Sequence, residues 1–224
     1  MSKKDRIVRL MEEWGGRFSA RLGIDIDSER SEEIFKWFLA SILFGARIRQ
    51  EAAMQTYREF QRQNVLTPEA ILSTGWNGLV VILDAGGYVR YDFKTATKLL
   101  EISEMLNKRY GGDLNRLHEE ALDPRDLESR LMEFKGVGPV TVNIFLRELR
   151  GIWKKAEPLP VDVMISAARA LGLTGLEGKN ENERLKILRE LEGLLKKEKL
   201  PYSFPDLEDA LVKFGIAYRR KKHQ

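Results

Sequence analysis

Asp162 is the side chain best placed for electrostatic or base chemistry. It lies in the run Leu159-Pro160-Val161-Asp162-Val163 and opens an apolar-rich stretch, VMISAARALGL, with helical spacing. A carboxylate there has two compatible roles. Asp is a favoured N-cap, and capping amides together with the helix dipole would keep it ionised, as a charge-stabilising or base catalyst needs. A second informative stretch precedes it, LMEFKGVGPVTVNIFLREL, from Leu131 to Leu149. One helix ends there, Gly136 and Gly138 flank the apolar Val137 and permit backbone angles that other residues resist, and Pro139 suits the first turn of a second helix. The result is a tight helix–hairpin–helix. The amides around Gly138, Val140 and Thr141 have no intrahelical partner and face outward with the positive end of the dipole, an arrangement that binds phosphate. A structural turn between antiparallel helices would use the same residues, so the downstream Pro-Val-Asp is what favours function.

These residues must be positioned by helices. Ile34, Phe35, Phe38, Leu39, Ile42 and Leu43 recur at three- and four-residue intervals, Leu99, Leu100, Ile102 and Leu106 do the same, and no strand alternation is visible. Helices are expected near 3–14, 31–46, 49–61, 67–73, 76–83, 93–109, 113–120, 124–134, 139–149, 163–171, 181–197 and 205–218. Thr67-Pro68 and Asp123-Pro124 read as capped starts, and Gly45, Gly86-Gly87, Gly111-Gly112 and Gly172 as stops. The fold class is therefore all-α. Residues 174–183, TGLEGKNENE, form the most linker-like interior segment.

Composition removes several function classes. The chain has no cysteine, so disulfides, thiolate zinc, cysteine nucleophiles and cysteine-held iron–sulfur clusters are excluded. The two histidines, His118 in a charged stretch and His223 in the tail YRRKKHQ, read as solvated residues rather than ligands. A formal charge of +4 is compatible with nucleic acid without demanding it. The 32% charged content also matches ion-pair-rich thermophile composition. No apolar run reaches membrane-span length and the N-terminus is charged, so a cytoplasmic protein is expected.

FKGVGPVTVNIFLREL followed by LPVDV resembles the signature of the helix-hairpin-helix DNA glycosylases. Pro-Val-Asp-Val is especially similar to the 8-oxoguanine branch. FLASILFGARIRQEA and LDAGGYVRYDFKTATKLLEI extend the similarity, which covers roughly residues 31 to 172. The resemblance implies two helical lobes, a six-helix barrel over 31–148 and a second lobe from 1–30 plus 149–224, with double-stranded DNA and a flipped base in the cleft between them. It implies Asp162 as the catalytic carboxylate, a monomer, and a DNA contact surface of Lys135, Gly136, Val137, Gly138, Val140 and Thr141. It also implies that the carbonyls of Met132, Phe134 and Val137 can hold Na+ or K+, with no cofactor required and no iron–sulfur cluster. The family's gap-filling residue lies at the end of the helix corresponding to Phe44–Arg49, where FGARIR departs from the common serine–alanine–glutamine pattern and Arg47 is the candidate. Trp37, Phe44, Tyr88 and Tyr91 lie near the expected cleft, where an aromatic face can stack on an extruded base.

Bifunctional members carry a lysine where this chain has Val140, so a monofunctional hydrolase is expected. An unaligned lysine, Lys135, Lys154 or Lys155, is the alternative. A noncatalytic DNA-binding module is the rival from another class. The tyrosines at 88–91 favour a damaged purine as substrate. Leu191, Leu194, Leu195, Leu207, Leu211 and Phe214 are expected to supply the packing of the second lobe.

Overall fold

The computed structural model describes the backbone of residues 1–222 and the side chains of residues 1–219. His223 and the end of the basic tail lie outside the described residues. Among the described residues the regular structure is helical, with no strand beyond an isolated bridge between Arg150 and Trp153. No helix described is long and apolar enough to cross a membrane.

The chain divides into two compact units. One runs from Leu22 to Glu157; the other joins Met1–Arg21 to the chain from Pro158 onward. Residues 22–30 and 149–157 thus go with the hairpin-bearing unit, beyond the 31–148 span expected from sequence. The reason is packing: Ile24, Ile26, Trp153 and Ala156 are buried apolar residues of these flanks.

In chain order the helices are α1 (Lys3–Trp14), α2 (Phe18–Arg21), α3 (Ser31–Phe44), α4 (Gln50–Arg62), α5 (Pro68–Ala85), α6 (Asp92–Tyr110), α7 (Leu114–Glu120), α8 (Pro124–Met132), α9 (Pro139–Glu148), α10 (Asp162–Ala170), α11 (Glu181–Lys197) and α12 (Phe204–Lys222), with a 3-10 turn at Ile26–Ser28. The expected caps form. Thr67 accepts from the Ala70 amide ahead of Pro68, and Asp123 accepts from Asp126 ahead of Pro124. α5 is continuous only in name: Gly75 has φ 67° and ψ 173°, so the helix breaks where the sequence separates 67–73 from 76–83.

The unit from Leu22 to Glu157 is built around α3, which packs on α4, α7 and α9. Its buried face is almost its whole circumference, from Ile34 through Leu43, as expected for a central helix. Phe38 lies 5.7 Å from Phe134 and 5.0 Å from Phe145 between ring centroids. Those two phenylalanines lie on either side of the hairpin turn, so α3 fixes both of its arms. α5 and α6 pack against each other and carry the turn 86–91.

In the other unit α12 packs on α1, α10 and α11 around Ile7, Leu10, Met164, Leu173, Ile187, Leu191, Leu207 and Leu211. Leu195 is buried in this core, and Leu194 and Phe214 pack against it, as the sequence pattern expects.

Candidate functional site

The hairpin occupies Glu133–Gly138. The Val137 amide donates to the Phe134 carbonyl at 3.0 Å, closing the turn, and Val137 inserts its side chain into the core. Gly136 has φ +72°, the left-handed region where a side chain is strained. Gly138 differs from the sequence expectation. It is the N-cap of α9 with φ −113° and ψ 179°, an ordinary extended conformation, and a Cβ placed on it would meet nothing within 4 Å. Its smallness therefore keeps space open rather than relieving strain. Because Gly138 has no capping side chain and Pro139 no N–H, the amides of Gly138, Val140 and Thr141 find no acceptor within the described residues. Val140 is 63% exposed and Thr141 is buried.

Thr141 also ties the hairpin to the end of α3. A Cβ on Gly45 would come 2.2 Å from Thr141 Oγ1, so a glycine is needed for the close approach of the α3 terminus to the first turn of α9.

These amides border a pocket of about 630 Å³ lined by Gly45, Ala46, Arg47, Tyr88, Tyr91, Lys94, Thr95, Lys98, Glu101, Lys135, Gly136, Gly138, Val140 and Thr141, among others. Arg47 lies past the end of α3 in the turn before α4 and is exposed at this pocket. Lys135 is also there, but its Nζ lies 2.6 Å from Glu101 Oε1. Lys98 has its stem against the hairpin turn, Cδ and Cε lying 3.2 and 3.3 Å from where a Cβ of Gly136 would sit. Burial, reinforced by the charge of Lys94, lowers the Lys98 pKa to about 8.

Of the four aromatics expected to receive a base, Tyr88 and Tyr91 line this pocket, and of these two only Tyr91 is partly exposed. Trp37 is fully buried, its Nε1 donating to the Phe145 carbonyl at 3.0 Å, and it is a core residue joining α3 to α9. Phe44 tilts against Trp37 at 6.4 Å between centroids and is not a lining residue of the pocket. Tyr88 lines the pocket wall but is 1% exposed, its hydroxyl donating to the Leu43 carbonyl at 3.0 Å, so it offers no free stacking face. Tyr91 is half-buried, lines the pocket, meets Tyr88 edge-on at 6.3 Å and has the Arg90 guanidinium 5.9 Å from its ring centre.

Asp162 belongs to the other unit. It is the first residue of α10 rather than its cap: Val161 holds the N-cap position and no side chain caps the helix. Its carboxylate, 74% exposed, is instead ion-paired with Arg184 of α11, whose second nitrogen donates to the Pro160 carbonyl at 2.6 Å. Arg184 thus clamps both the carboxylate and the chain leading into it. α12 closes on the same helix turn, because a Cβ on Gly215 would be 2.5 Å from the Val163 carbonyl oxygen. Nothing in the residue spacing announces Arg184, which lies beyond the 174–183 linker.

The remaining sequence candidates have structural partners. Lys155 donates to the carbonyls of His118 and Glu119, at 2.8 and 3.2 Å, and Lys154 is exposed. His118 is not a solvated residue: it stacks on Trp153 at 4.7 Å and 4°, and burial, with Lys155 and Lys154 nearby, lowers its pKa to about 4. No group of three or more His, Cys, Asp or Glu that could hold a metal ion occurs among the described residues.

No protein-family model and no curated protein matches the sequence. Among solved structures, the fold is similar to that of the 3-methyladenine DNA glycosylase MagIII of H. pylori bound to 1,N6-ethenoadenine, at 14% identity and a TM-score of 0.56, covering 84% of this chain and 85% of that one. The chain therefore shares the all-α fold of a DNA glycosylase.

Proposed function

We propose that this protein is a base-excision DNA glycosylase that hydrolyses the N-glycosidic bond of a damaged base extruded from duplex DNA. The observation that carries the reading is the hairpin: three amides without an acceptor border a pocket that also holds Arg47, Lys94 and Lys98. Backbone amides at a helix start, with cations beside them, suit a phosphodiester backbone and no particular sequence. Val140 and Thr141 supply two of those amides, and the opening at Gly138 lets phosphate approach. Lys135 lies beside them, and Arg47 is the residue proposed to enter the gap left by the base.

The chemistry falls to Asp162. As the sugar–base bond breaks, positive charge develops on the deoxyribose, and a fixed carboxylate stabilises it and orients or deprotonates the attacking water. Arg184 holds that carboxylate through the ion pair at the start of α10. Tyr91 is the proposed stacking face for the base. A damaged purine suits a large aromatic face, and the similar glycosylase of H. pylori, bound to 1,N6-ethenoadenine, supports a purine reading. The carbonyls of Met132, Phe134 and Val137 would be the donors to Na+ or K+, and the Phe134 carbonyl also accepts the Val137 amide. A cation there would add positive charge between turn and phosphate.

The test is release of base from duplexes containing 8-oxoguanine, hypoxanthine, 3-methyladenine, 1,N6-ethenoadenine, uracil, or thymine opposite guanine. Release of a purine lesion is expected. Release of only the pyrimidine bases would refute the purine preference, and no release from any duplex that is nonetheless bound would favour a noncatalytic binding module.

A further inference from the structure

The expectation of a purely hydrolytic enzyme rests on Val140, which leaves the hairpin without an amine. The pocket has another. Lys98 extends from α6 along the Gly136 turn, and no hydrogen bond or ion pair engages its Nζ among the described residues. Its cationic neighbours are occupied elsewhere or repel it: Lys135 is bound to Glu101, and Lys94 adds like charge. Arg47, Tyr88 and Tyr91 are the other ionisable residues of the pocket lining. Glu101, one turn along α6 from Lys98, gives Oε1 to Lys135 and keeps Oε2 buried without a hydrogen-bond donor. Lys98, with its amine unengaged, and Glu101, with one carboxylate oxygen buried and unsatisfied, therefore both line the pocket that the hairpin amides border.

We propose that Lys98 is a nucleophile toward the sugar aldehyde of an abasic site, with Glu101 as proton acceptor, giving the protein an abasic-site lyase activity. This rests on the reading that the pocket receives DNA. Base release leaves a hemiacetal at C1′ that opens to an aldehyde. The neutral amine adds to C1′, forming a C–N bond and a carbinolamine, whose hydroxyl takes a proton from solvent and departs as water, leaving an iminium. The iminium acidifies the C2′ proton. Glu101 takes it, the electron pair forms the C2′–C3′ double bond, and the C3′–O bond breaks with the 3′ phosphate as leaving group. Water then hydrolyses the conjugated iminium, returning Lys98 and an unsaturated aldehyde. No oxidant or reductant is needed. The lowered pKa places about a tenth of Lys98 in the neutral form at pH 7, against about one in a few thousand for an ordinary lysine.

The experiment is borohydride trapping on a duplex with one preformed abasic site, at saturating protein, with peptide mapping of the adduct. Wild type is expected to form a covalent adduct at Lys98. Lys98→Arg keeps the charge and loses the nucleophile, so its adduct yield should fall at least about tenfold, while Lys154→Arg retains it. Melting curves confirm that each variant is folded. Asp162→Asn should still be trapped, because base release is bypassed. Binding of the abasic duplex without an adduct, an adduct mapped elsewhere, or full yield in Lys98→Arg overturns the proposal and leaves the glycosylase reading standing. Absence of duplex binding overturns both.

Discussion

Gly45→Ala tests whether the end of α3 sets the position of the phosphate-facing hairpin. The backbone at Gly45, φ −70° and ψ −10°, accepts alanine, so the effect comes from space alone. The new Cβ would lie 2.2 Å from Thr141 Oγ1 and 3.2 Å from Thr141 Cβ, and Thr141 is buried at the first turn of α9. Overpacking of this kind costs about 1–3 kcal/mol. For a chain of this length that is a fall in melting temperature of about 2–12 °C. Because the Thr141 amide is one of the free donors, duplex affinity should fall as well. Thr141→Ala alone removes the hydroxyl and methyl at a cost of about 1 kcal/mol. In the double variant a 3.2 Å contact with Thr141 Cβ and a 3.3 Å contact with the Ser41 carbonyl oxygen remain, and shifts of a few tenths of an ångström relieve them. The double variant should therefore be more stable than the sum of the singles by about 1 kcal/mol or more. Melting curves and fluorescence anisotropy on a short duplex measure both effects. Additivity within about 0.5 kcal/mol would refute the coupling of α3 to the hairpin.

The two hairpin glycines should separate. Gly136→Ala forces a side chain into φ +72° and against Lys98 and should cost about 1–2 kcal/mol, whereas Gly138→Ala should leave stability within about 0.5 kcal/mol yet weaken binding to all duplexes alike. Equal destabilisation by both would show that the turn geometry is misassigned. Tyr88→Phe loses the hydrogen bond to the buried Leu43 carbonyl and should cost about 1–2 kcal/mol in urea unfolding; unchanged stability with lost base release would restore Tyr88 as a stacking residue. His118, with its pKa lowered from 6.5 to about 4, binds fewer protons in the folded protein than in the unfolded chain between those values. Stability present above pH 6.5 is therefore lost as pH falls toward 4, by at most about 3 kcal/mol and by less to the extent that the ring is wet. His118→Phe, which keeps a ring on Trp153, should flatten that slope; a slope equal to wild type would contradict the assignment.

Helix positions were legible in the sequence because their ends carry specific chemistry. Thr67-Pro68 and Asp123-Pro124 cap as their residue types require, and Gly75 breaks α5 between the two segments that periodicity separates. The hairpin was legible for the same reason. The aromatic pocket was not: α3 is apolar around most of its circumference, so no face of it distinguishes Trp37 as core from a residue at a site. Residue type alone also could not separate Gly136 from Gly138, which differ in φ rather than chemistry. Lys98, Glu101 and Arg184 acquire their roles from contacts with residues distant in sequence, Gly136, Lys135 and Asp162. Such contacts leave no periodic trace.

In the proposed reaction Asp162 performs the chemistry while the hairpin holds the DNA. This division of roles is tested most directly by comparing base release and duplex affinity of wild type and Asp162→Asn on the lesion duplex that wild type cleaves best. Base release should fall about a thousandfold in Asp162→Asn, with duplex affinity within about twofold of wild type. Base release by Asp162→Asn at close to the wild-type rate would contradict it.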